Sequence, residues 1–82
     1  MRKDELIKEL VENVKQAFRR DLVDYYEVNQ VEHLQYHFEL TKGLDSQWEA
    51  FVKNRCENAD RFPDSFRNIY QRFQTKWKEL NK

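Results

Sequence analysis

Residues 28–41 read VNQVEHLQYHFELT, and two periods compete within them. Val28, Val31, Leu34 and Phe38 recur at steps of three and four, the spacing of one helical face. Leu34, Tyr36, Phe38 and Leu40 alternate, the spacing of a half-buried strand. Tyr25 and Tyr26 add β-favouring side chains just upstream. A hairpin would have to turn at Asn29-Gln30, where neither residue is glycine and the two arms do not separate into clean faces. The stretch is therefore read as helix, and the fold as all-α, a compact array of about four helices. The alternative is α+β, with a hairpin at 22–40 packed on three helices.

The flanking sequence supports the helical choice. Upstream, Leu6, Ile7, Leu10, Val11, Val14, Ala17 and Phe18 mark one face of a helix, and apolar residues continue through Leu22 to Tyr25. That predicts a first helix over residues 3–26, with Asp4 and Glu5 in its first turn, where the helix dipole favours acids. The second helix covers 29–41 and stops at Gly43, the sole glycine. Ser46 and Glu49 have capping-box spacing, so a third helix is placed at 46–58 with Leu44, Trp48, Phe51, Val52 and Ala59 on its buried side. Pro63 opens a fourth helix at 64–81, with Asp64 and Ser65 as candidate caps. Phe66, Ile69, Tyr70, Phe73, Trp77 and Leu80 fall within an arc of about 100° at the helical period. That stripe is the strongest periodic signal in the chain and is assigned to the core.

With 82 residues, the chain holds one domain, spanning 1–82. Aromatic residues make up 15% of it, enough to build a core from few side chains despite 37% charged residues. The single cysteine, Cys56, excludes an intramolecular disulfide framework. No secretory leader is visible at the start, so a reducing, cytoplasmic setting is expected. No stretch reaches the roughly 20 apolar residues of a membrane span.

Catalytic motifs are missing: there is no glycine-rich phosphate loop, no G-x-S-x-G elbow and no C-x-x-C pair. The chain is read as a non-enzyme that needs no cofactor. His33 and His37 lie four residues apart, a spacing usable by a metal, but the glutamate of an H-E-x-x-H helix is absent. They are read as surface or half-buried histidines, and no metal is assigned. Cys56 is read as a small core hydrophobe.

Net charge is zero but unevenly spread: residues 1–20 carry +2, residues 21–50 carry −6 and residues 61–82 carry +4. The acidic middle is also tyrosine-rich, and tyrosine serves interfaces well because its ring orders at low entropic cost. Asp24, Tyr25, Tyr26, Glu27, Glu32 and Tyr36 are therefore the expected protein-binding residues. The function expected is a small intracellular protein-binding module, an inhibitor, adaptor or accessory subunit that occupies a partner surface. Nucleic-acid binding through Arg67, Arg72, Lys76 and Lys78 is the alternative. Self-association through surplus aromatics is a further possibility.

Overall fold

The computed structural model describes residues 2–81. Among them the chain forms four α-helices, α1 (Lys3–Asp21), α2 (Tyr25–Thr41), α3 (Asp45–Glu57) and α4 (Asp64–Leu80), and no strand. A single 3-10 turn at Ala59–Arg61 precedes α4. The all-α reading holds, and the hairpin at 22–40 is not formed. Residues 25–41 are one uninterrupted helix.

The first helix ends five residues before the expected position. Leu22 adopts the left-handed conformation (φ 51°, ψ 43°), and its N–H donates to the Phe18 carbonyl at 2.6 Å. Two residues on, Asp24 is extended, and its carboxylate accepts from the backbone N–H groups of Tyr26 and Glu27 at 2.9 and 3.3 Å. Those donors have no partner inside a helix, so an aspartate there starts a new one. Leu22, Val23 and Asp24 thus form a sharp helix–helix turn and Tyr25 opens α2, so none of the four belongs to α1. A left-handed Lys42 (φ 49°) ends α2, and Gly43 follows at φ 124°, a conformation that suits glycine alone.

Helix α2 starts at Tyr25, four residues before the expected 29, because Asp24 caps it there; the boundaries of α3 and α4 moved by about one residue, with different caps. Leu44 occupies the N-cap position of α3, and no side chain caps it. Ser46 lies inside the helix, so the expected capping box does not form. At α4 the N-cap position is Pro63, with no side-chain cap; Asp64 and Ser65 sit in the first turn, where Asp64 pairs with Arg67 at 3.1 Å.

Helix α1 packs against both α2 and α4, while α3 lies on α4 and touches α2 less extensively. The stripe of α4 buries as its spacing dictates: Phe66, Ile69, Tyr70, Phe73 and Trp77 are all in the core, with Leu80 at its edge. Rings run in a chain through this core. Trp48 meets Phe51 at 6.0 Å and Phe73 at 5.9 Å, and Phe73 stacks on Trp77 at 5.4 Å. The buried indole N–H of Trp48 meets no acceptor among the described residues, so Trp48 contributes through its apolar surface. Leu44 and Ala59, expected on the buried side of α3, are exposed and half-buried respectively. No helix is long and apolar enough to cross a membrane among the described residues.

Candidate functional site

Helix α2 is apolar on two sides. Its inner side carries Val28, Val31, Leu34 and Phe38 into the core. The same inner side carries Glu27, which is only 1% exposed. A buried carboxylate is costly unless it is paired and hydrogen-bonded, and Glu27 is both. Arg55 of α3 grips it with a two-point contact, Nε to Oε1 at 2.8 Å and Nη2 to Oε2 at 3.1 Å. The Tyr70 hydroxyl of α4 donates to Oε1. The Arg55 guanidinium lies 3.9 Å from the Phe51 ring centroid, which covers the pair. This cluster joins three helices. It also removes Glu27 from the expected binding surface: the carboxylate is an internal anchor.

Burial, and then the Glu27 carboxylate beside it, push the Tyr70 phenol above its ordinary range. A phenol that holds its proton more tightly when folded adds stability below the unfolded pKa, and loses it as pH rises beyond. With unfolded tyrosine near pH 10, that loss begins there. Urea titrations at pH 9 and pH 11 should therefore show the wild-type chain losing about 1.4 kcal/mol more than a Tyr70→Phe variant. Equal losses in the two chains would show that Tyr70 does not couple to folding in this range.

The other two expected acids are also occupied. Asp24 caps α2, and Glu32 pairs with Lys15 of α1 at 2.8 Å. The tyrosine rings stay largely exposed, although one side of Tyr25 meets Phe18 of α1 at a centroid distance of 5.7 Å. Tyr25, Tyr26 and Tyr36 are between 60% and 66% exposed. Leu40 joins them at 64%, and the turns at the two ends of α2 add Leu22 and Leu44. Every large apolar side chain classed as exposed among the described residues therefore lies between positions 22 and 44. At about 100° per residue, Tyr25, Tyr36, Asn29, Leu40, His33, Tyr26 and His37 span an arc of about 120° on α2. No carboxylate, lysine or arginine falls within it. The acidic tyrosine patch expected from sequence thus resolves into an uncharged aromatic face, with its acids turned to structural work. Leu22, Leu40 and Leu44 were not singled out as binding residues. For Leu40 the signal lay in the alternation of Leu34, Tyr36, Phe38 and Leu40, which places apolar residues on opposite sides of a helix; Leu22 and Leu44, in the turns, carried no periodic signal.

The basic residues of α4 do not converge. Arg72 and Lys76 face a shallow groove of about 910 Å³ between α1 and α4, which Arg20 and Asn13 also line. There Lys76 pairs with Glu9 at 3.1 Å. Arg67 and Lys78 lie on the opposite border of the stripe. Arg67 is held by Asp64 and by the Ala59 carbonyl, and Lys78 lines a separate cleft of about 600 Å³ with Cys56. In that cleft the Cys56 thiol donates to Gln74 at 3.4 Å, and burial pushes its pKa up, so it is not a poised thiolate.

No protein-family model matches the chain, and no curated protein or solved structure matches it.

Proposed function

We propose that the protein is a small binding module that docks on another protein through the outer face of α2. The single observation behind this reading is the confinement of exposed large apolar side chains to α2 and its two turns. A small domain gains stability by burying such residues, and a contiguous exposed set of them marks an interaction surface. Tyrosine rings with free hydroxyls suit a surface that must stay soluble alone and dry out when bound. The face is uncharged, so its partner offers a matching apolar patch with hydrogen-bond acceptors, not a strongly charged one. Such a module acts by occupying that patch, as an inhibitor, adaptor or accessory subunit. The lone thiol fits a reducing, cytoplasmic setting. Nucleic-acid binding has less support, because Arg72 and Lys76 face one groove, Lys78 lines a separate cleft, Arg67 lines neither, and Arg67 and Lys76 are held in ion pairs.

A photoreactive amino acid at position 36 or 40 tests the surface directly. Irradiation in a cell extract should give a discrete cross-linked protein at both positions and none at exposed Lys53 on α3. Cross-linking confined to position 53, or none at any position, would remove α2 as the docking face.

A further inference from the structure

We propose that His33 and His37 form a two-imidazole clamp for a divalent transition-metal ion of the zinc–nickel class. The clamp depends on residues 28–41 being helical. In a strand, side chains four residues apart are separated by about 13 Å, whereas one helical turn brings them to about 6 Å. The two imidazoles stand with centroids 4.6 Å apart, edge to face, on the outer side of α2. Metal–nitrogen bonds of about 2.0–2.1 Å require the two donor nitrogens to lie about 3.3 Å apart. Rotation of these side chains about their own bonds covers that difference, because His33 is exposed and His37 only half-buried.

The surrounding charge also favours a cation. Helix α2 contains no lysine or arginine, and the last turn has no basic residue, whereas α1, α3 and α4 each end with at least one. The nearest lysine to this end is Lys42 at the C-cap, one residue beyond the helix, so the carbonyl end of α2 lies within one turn of His37 with no basic side chain inside the turn itself. Glu32 and Glu39 border the face on one side; the first is paired with Lys15 and the second accepts from Gln35 at 3.3 Å. No third histidine, cysteine or carboxylate completes a ligand cluster among the described residues. The ion would therefore keep open coordination positions pointing away from the domain, as an exchangeable site does and a structural one does not. The two imidazoles lie within the docking face, but metal binding needs only them and is read on the chain alone, without a partner.

Calorimetric titration of the full chain with zinc chloride and with nickel chloride at pH 7.5 tests the proposal, with magnesium chloride as control. One zinc or nickel ion should bind per chain and magnesium should not. His33→Ala and His37→Ala should each weaken binding at least tenfold, while Cys56→Ser leaves it unchanged. Zinc should also shift the imidazole carbon-bound proton resonances of both histidines in the wild-type spectrum. Binding that survives in the double histidine variant, or no histidine shift at millimolar zinc, would overturn the clamp.

Discussion

Replacing Arg55 with alanine is expected to destabilise the domain by about 3–5 kcal/mol, because it leaves the Glu27 carboxylate buried without its counter-charge. The Glu27 side chain is 2% exposed and that of Arg55 15%, so water cannot take over the role of the guanidinium. The substitution also uncovers the Phe51 ring on which Arg55 lies. A domain of this length has only about 4–12 kcal/mol of stability in total, so the variant should be largely unfolded at physiological temperature. Glu27→Gln should cost less, since the amide oxygen still accepts from Tyr70 and Arg55 can reach solvent. Replacing all three polar groups with apolar residues of similar volume, Glu27→Leu, Arg55→Met and Tyr70→Phe, should recover most of the loss. The expectation follows because a buried ion pair contributes little net stability over a well-packed apolar substitute. Urea denaturation followed by circular dichroism measures all of these. A loss below about 1 kcal/mol for Arg55→Ala would show that Glu27 is hydrated after all.

The anchor explains which parts of the fold were legible in the sequence. Stripes in α1 and α4 repeat over several turns with few exceptions, so their buried faces follow from spacing alone. Helix α2 is different. Leu34 and Phe38 face inward while Tyr36 and Leu40 face outward, which produces strand-like alternation inside a helix. The end of α1 was obscured because Leu22 is apolar yet 79% exposed; the deciding feature was Asp24, whose capping bonds begin α2. Glu27 looked like one more solvated acid in an acidic segment. It shares a helical face with Val31, Leu34 and Phe38, and a carboxylate in an apolar stripe demands a buried partner. That partner, Arg55, lies 28 positions away, beyond the reach of any local pattern. The capping-box reading of Ser46 and Glu49 failed for a similar reason: the Glu49 carboxylate is drawn to the Trp77 indole N–H at 3.3 Å, a contact between α3 and α4.

Because the inner side of α2 is anchored and its outer side is free, the two sides can be separated by mutation. Tyr26, Tyr36 and Leu40 are each at least 60% exposed, so changing them to serine should alter folding stability by about 0.5 kcal/mol or less per site. The effect on docking should be far larger. Tyrosine anchors at protein interfaces contribute about 2 kcal/mol or more each when truncated, and every 1.4 kcal/mol is roughly tenfold in affinity. The measurement that bears most directly on the docking face is therefore quantitative affinity capture of the partner cross-linked at position 36 or 40. It compares the wild-type chain with the Tyr26→Ser, Tyr36→Ser, Leu40→Ser triple variant at matched, verified folding. Capture reduced at least tenfold by a variant that folds normally is the predicted result. Undiminished capture by the folded triple variant would contradict the assignment of the outer face of α2 as the binding surface.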